Sequence, residues 1–353
     1  MATDTNPTEL EAALGRLEDL FDVGDLDLAL ELTEALASRF PHEPQVLRFR
    51  AAALAGDGRL DEACEILRDA LARDPDDLET LHAAIELLVH DLDGDHDAYE
   101  EALGLLKRAK KLARKAGDEE HLIELHLLTG VALGGLGDSR GALEAVEEAA
   151  RLDPDDPEVA VERGIALFEL CRLGEAKAEL ERALEAEPGH AAAHHYLGLV
   201  AEHLGQPEPA ARHLRRARQL APDDFAAPVA MSADAFAGAV EAALERLPER
   251  VRRYLGNVAI LVEELPDLEE MRAAEPPLSP GSLGLFRGTP YTEQSTADPW
   301  SHLPSAIVLF RSNLRRFARS PEELVEQIGI TLVHEVGHFL GLSEEDLYER
   351  GLD

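Results

Sequence analysis

His334, Glu335, Val336, Gly337 and His338 form the five-residue run His-Glu-Val-Gly-His. On a helix, residues four apart differ by only about 40° in azimuth, so both imidazoles project from one face and suit two zinc ligands. Glu335 follows the first of them, where a carboxylate takes a proton from water beside the metal without being a ligand itself. It is the candidate catalytic base. A third ligand has to come from beyond Gly341, where Glu344, Glu345 and Asp346 compete. Ser343 and Asp346 have the S-x-x-D spacing of a capping box, which occupies Asp346 with the start of a last short helix over 344–350.

The elements around the motif are legible. Ser320 is an N-cap, Pro321 suits the first helical position and Glu323 completes a capping box. The helix is expected to run to about Leu340, where Gly341 supplies a left-handed stop. Ile328, Ile330, Leu332 and Val333 bury the approach to the motif. Upstream, Phe236, Val240, Leu244 and Leu247 mark a helix face that Pro248 ends. Val258–Val262 and Ala306–Phe310 read as strands, and Leu283–Arg287 as a short strand within the looped stretch from Pro276 to Pro304. The C-terminal third is therefore α+β.

The first two thirds repeat. Pro41 and Pro75, and then Pro154, Pro188 and Pro222, recur at 34 residues. Gly24 and Gly58, the set Gly137, Cys171 and Gly205, the set Gly130, Gly164 and Gly198, and the alanines Ala29, Ala63, Ala142, Ala176 and Ala210 keep the same register. Pro75 and Pro154 lie 79 apart, two periods plus 11, which places an insertion near 90–101. Six units of helix, tight turn and helix fill residues 8–222, with Gly137 and Gly205 in the turns and Cys171 replacing the turn glycine. Each hairpin leaves an apolar face that only a neighbour covers, so the units stack into a solenoid with a groove.

Composition narrows the function. Among 353 residues, 45% are hydrophobic but only 5% aromatic, so alanine and leucine do the packing. Asp and Glu total 71 against 34 Lys and Arg, a net charge of −37. That field repels phosphate backbones and anionic lipid, which argues against nucleic acid and membrane as partners. Residues 236–353 hold 20 acids and 11 arginines, so −28 of the charge lies before them. The two cysteines, far apart and without CxxC spacing, fit a reducing compartment. With no leader-like apolar region and no stretch of spanning length, the expectation is a cytoplasmic protein. Asp91, Asp93, Asp95 and Asp97 alternate like the start of a calcium loop, but His96 and Ala102 stand where an EF-hand needs Gly and Glu, so a solvated acidic loop is expected. His190, His194 and His195 are read as groove or surface histidines for want of a matching carboxylate or cysteine.

The repeats resemble the tetratricopeptide family, most closely in "LGDSRGALEAVEEAARLDP" at 136–154 and "AHHYLGLVAEHLGQPEPAARHLRRARQLAP" at 193–222. That resemblance implies a groove for a protein or peptide ligand. Residues 236–353 resemble the small bacterial zincin-like metallopeptidases through "LPERVRRYLGNVAILVEE" (247–264), "LGLFRGTPYTE" (283–293), "AIVLFRSNL" (306–314) and "TLVHEVGHFLGLSEEDLYERGL" (331–352). It implies Zn2+ on His334 and His338, with Glu344, ten residues after His334, as the third ligand ahead of Asp346, and Glu335 as base on a peptide substrate. Two features depart from the family pattern: the preceding array and the loop 292–302 with Trp300, read as packing, and His302. Tyr291 and His302 are the candidates for stabilising an oxyanion. The expected architecture is mostly α, a TPR-like α-solenoid over residues 1–225 followed by a small α+β zincin-like domain over 232–353. The expected function is a zinc metallopeptidase with a docking array. The alternative is a TPR scaffold whose zinc site is structural or catalytically silent.

Overall fold

The computed structural model describes residues 7–92, 95–274, 277–293, 305–348 and 350, without the side chains of residues 7, 8, 254, 257, 293, 344 and 345. Twelve helices follow in order: α1 (Pro7–Asp22) pairs with α2 (Leu26–Arg39), α3 (Pro44–Gly56) with α4 (Leu60–Arg73), α5 (Leu78–Glu86) with α6 (His96–Ala116) and α7 (Glu119–Gly135) with α8 (Ser139–Leu152), then come α9 (Pro157–Glu169) and α10 (Leu173–Ala186), and α11 (Ala191–His203) pairs with α12 (Pro207–Leu220). The twelve helices are the two per unit expected of six sequence units. The insertion is absorbed by a π-type turn, Leu87–Asp91, and by the 21-residue length of α6. Asp95 caps that helix, accepting from the backbone N–H of Asp97 and Ala98.

The chain divides into two compact units, 1–166 and 167–353. In the first, Gly24, Gly58 and Gly137 take φ of 71°, 78° and 78° in the hairpin turns, a left-handed conformation that costs a residue with a Cβ about 1–2 kcal/mol. Gly130 lets α7 approach α8, since a Cβ there would lie 2.8 Å from Val146. Leucine and alanine fill the interior: Leu54, Leu67, Leu81, Ile85, Leu106, Ala109 and Leu125 are almost wholly buried.

The second unit starts at Leu167, near the end of α9, so it holds the last repeat helices together with the domain expected from residue 232. The reason is packing. Cys171 holds a φ of 57°, the positive-φ non-glycine among the described residues, and is fully buried. Its side chain joins Met271, Val308 and Phe310 in one apolar cluster, and its carbonyl accepts a 2.8 Å hydrogen bond from Arg272. The turn before α10 therefore shares a core with the C-terminal strands and helices.

Beyond the repeats come α13 (Ala233–Arg246), α14 (Glu249–Tyr254), β1 (Val258–Glu263), α15 (Leu268–Ala273), β2 (Gly284–Arg287), β3 (Ser305–Phe310), α16 (Arg311–Phe317), α17 (Pro321–Leu340) and α18 (Glu344–Tyr348). The sheet order is β1-β3-β2. β1 runs parallel to β3, pairing Val258 with Ser305, and β2 runs antiparallel, pairing Gly284 with Leu309. Central β3 is an apolar run covered on both faces, as such a strand must be. Leu309 packs with Phe236, Leu324 and Ile328, and Ile307 with Leu332, Val336 and Phe339. Val308 and Phe310 point the other way, toward Met271 and Cys171.

Candidate metal centre

The motif lies on α17, and its boundaries are those the capping residues predict. Ser320 Oγ accepts from the backbone N–H of Glu323 at 3.1 Å. Glu323 reaches back to the backbone N–H of Arg319 at 2.7 Å, one residue earlier than a strict capping box. Gly341 ends the helix with φ 89°. Buried Leu324, Ile328, Leu332, Val336 and Phe339 fix the helix to the sheet, which turns the opposite face toward a cavity of about 870 Å³ lined by Gly284, Phe286, His334, Glu335, His338 and Leu342.

In that cavity the Nε2 atoms of His334 and His338 stand 3.0 Å apart. His338 Nδ1 lies 3.2 Å from the carbonyl oxygen of Leu342. A carbonyl only accepts, so the neutral ring carries its proton on Nδ1 and offers the Nε2 lone pair to the cavity. Metal-binding histidines are oriented this way, by a second hydrogen bond on the far nitrogen. The donor set and its orientation fit zinc.

Glu335 is 6% exposed and faces β2 across a close approach. A Cβ on Gly284 would lie 2.7 Å from Thr331 Cγ2 and 3.0 Å from both Cγ and Oε1 of Glu335. Only glycine lets the strand backbone pass there. Gly337, inside the motif, plays the same part for α18, because a Cβ would run into the Leu347 side chain. Asn313 holds the segment that leads into β2: buried, it donates from Nδ2 to the carbonyls of Pro280 and Ser282, 2.8 Å each. Arg287, at the other end of β2, bridges Glu263 and Glu270 at 2.6 Å. Sequence reasoning does not single out these four supporting residues. A glycine inside a short strand is the available signal for Gly284.

The other candidate residues divide between caps, exposed positions and undescribed segments. Asp346 Oδ2 accepts from the backbone N–H and the hydroxyl of Ser343, at 3.0 and 2.8 Å, and Ser343 Oγ accepts from the Asp346 N–H. These bonds hold the Asp346 carboxyl below its ordinary range, through the Ser343 backbone N–H first. Asp346 is thus occupied as a cap. Glu344 opens α18, three residues after Gly341, and its side chain lies outside the described residues. Tyr291 is 46% exposed, with its ring 6.0 Å from that of Phe339. Trp300 and His302 lie outside the described residues. His190 caps α11, His194 Nδ1 meets His213 Nδ1 at 3.0 Å, and His195 stacks on Phe225. No helix among the described residues is long and apolar enough to cross a membrane.

Comparison with known proteins agrees with this anatomy. Residues 255–352 match the zincin-like metallopeptidase family, and residues 4–163, 135–201 and 191–224 match tetratricopeptide repeat families. Human protein O-mannosyl-transferase TMTC1 is 27% identical over 192 residues, 53% of this chain and 20% of that protein. The chain thus spans about a fifth of the length of that curated relative. Among solved structures, a tetratricopeptide repeat protein from Parabacteroides merdae aligns with TM-score 0.52 and 16% identity, covering 62% of this chain and 80% of its own. PilW, a type IV pilus biogenesis factor, aligns with TM-score 0.51 and 17% identity, covering 62% and 96%. At such identities the likeness concerns the repeat fold alone. The chain carries tetratricopeptide repeats over residues 4–224 and, after them, a zincin-like metallopeptidase domain at 255–352.

Proposed function

We propose that the chain is a zinc-dependent peptidase whose repeat array docks a protein or peptide partner. The observation that carries it is the convergence of His334 and His338 Nε2, 3.0 Å apart, beside a buried Glu335 on the wall of a large cavity. His334, His338 and Glu344 would hold zinc, which when bound supplies Lewis acidity to a carbonyl oxygen and to water. Glu335 takes the proton of the attacking water and passes it to the leaving nitrogen. Burial against β2 keeps its carboxylate fixed at that place, so little reorganisation is spent as the proton moves.

β2 is an outer strand of the described sheet and supplies Gly284, Leu285 and Phe286 to the cavity wall. An extended peptide can pair along such an edge with its main chain, which sets the scissile bond across Glu335 before any chemistry. The cytoplasm is the compartment that the free, buried Cys64 and Cys171 fit best.

The test is a cleavage screen of the zinc-loaded full chain against diverse peptides, with Glu335→Gln as control. Cleavage by the wild type and none by Glu335→Gln supports the reading. Zinc retained without cleavage of any peptide, in both proteins, makes the chain a zinc-binding scaffold instead.

A further inference from the structure

A second group of metal-ligating side chains meets in the first unit, far along the chain from the His-Glu-Val-Gly-His motif. His82 stands on α5, and His121 and Glu124 stand on α7, the first helices of successive hairpins. One donor atom from each lies within 4.8 Å of the other two. The rings are mostly buried, 17% and 23% exposed, and meet edge-on with centroids 5.5 Å apart.

The orientation of His121 is set from behind. Its Nδ1 lies 3.0 Å from Asp118 Oδ2, and Asp118 Oδ1 accepts from the His121 backbone N–H at 3.2 Å. The carboxylate only accepts, so Nδ1 carries the proton and Nε2 of the neutral ring presents its lone pair toward the cluster. A carboxylate holding the far nitrogen is the arrangement that orients metal-binding histidines. His82 Nδ1 lies 3.7 Å from Glu124 Oε2, while its Nε2 lies 3.8 Å from Glu86 Oε1. Glu79 Oε1 is 3.8 Å from His121 Nε2. Four carboxylates thus surround two imidazoles, a concentration of negative charge that a divalent cation offsets.

We propose that His82, His121 and Glu124 form a transition-metal site, of the Zn2+ or Co2+ class, that clamps the third hairpin to the fourth. Nitrogen donors select a borderline ion over calcium or magnesium. Ligand atoms around tetrahedral zinc sit about 3.3 Å apart, so the present spacing, within 4.8 Å, has to close by up to about 1.5 Å. The Glu124 side chain, half exposed, has the freedom to make that move. The donors come from two helices that are brought together only by folding, so the ion stabilises the array rather than one helix.

The site is tested on the full chain by Co2+ titration, following visible absorption, with Zn2+ competition and total metal content by atomic emission. Replacing His82 and His121 together by Asn is expected to lower stoichiometry by one ion per chain, whatever the occupancy of the motif histidines. Asp118→Asn retains the helix cap, since Asn caps as Asp does, and is expected to weaken that ion about 10- to 100-fold. Zn2+ should shield His82 and His121 of the unmutated chain from carbethoxylation, read residue by residue by mass spectrometry, which needs no variant to fold. Unchanged stoichiometry in the double variant, or equal labelling of His82 and His121 with and without Zn2+, overturns the proposal.

Discussion

The Nδ1 atom of His338 lies 3.2 Å from the backbone carbonyl of Leu342, so the second histidine of the motif is oriented by the residue just past the glycine stop of its own helix. Gly341 makes that contact possible: its φ of 89° turns the chain back, and a Cβ there would also strike the Thr292 side chain. Gly341→Ala is therefore expected to weaken zinc binding about tenfold or more through His338, although Gly341 is no ligand. His338→Ala is expected to lose that ion outright, measured as one ion fewer per chain by atomic emission. Equal metal content in wild type and His338→Ala would sink the site.

Base and ligand separate by their readouts. Glu335→Gln should keep zinc and abolish cleavage, and Glu344→Ala should lower zinc affinity. Asp346→Ala should cost only the cap, a small drop in the midpoint of chemical denaturation with metal content unchanged. Gly284→Ala, which pushes on Glu335 from β2, should lower kcat while leaving metal content unchanged. Loss of metal from Asp346→Ala but not from Glu344→Ala would reverse the assignment of the third ligand.

Cys171 carries a left-handed turn for the sake of its buried thiol. Replacement by Ala keeps the strain and loses the contact with Met271 and Phe310, whereas Gly loses the contact but relieves the strain. The expected order of stability is wild type, then Cys171→Gly, then Cys171→Ala, with the two variants about 1 kcal/mol apart. Ala above Gly in urea melts would show that the turn is unstrained.

Acid should loosen the second unit. His195 and His203 are both pushed down to about 4, by burial first and by the Arg316 charge second. A depressed folded value means their contribution is fully present above the ordinary 6.5 and is lost as pH falls from there toward 4. Glu169 runs the opposite way: burial raises its carboxyl, so its contribution is present at low pH and lost as pH rises through the raised value. The urea midpoint should therefore fall on acidification between about 6.5 and 4, and the double variant His195→Gln/His203→Gln should flatten that fall. A slope unchanged in the double variant would place the acid sensitivity elsewhere.

The array should select basic partners. Residues 1–235 hold −28 of the chain's −37 charges, so a partner captured by the full chain is expected to carry a Lys- or Arg-rich segment. Such attraction is screened beyond about 8–10 Å at physiological salt, so affinity should drop markedly between low and high ionic strength. An affinity indifferent to salt would leave the acidity as a device for solubility.

Local pattern determined a large share of this protein. The 34-residue period, the turn glycines, the Ser320 cap and the Gly341 stop each act within a few residues of chain, and each appears where the spacing put it. So did the two motif histidines, because i and i+4 on a helix share a face in any fold. The environment of those residues was decided by packing between distant segments. Gly284 meets Glu335 across 51 positions, Arg272 reaches Cys171 across 101, and His82 finds His121 only because α5 and α7 stack. Cys171 shows the same division: repeat register is a property of neighbours in sequence, whereas a core forms from whatever apolar surface folding brings together, and Cys171 is buried with Val308 and Phe310.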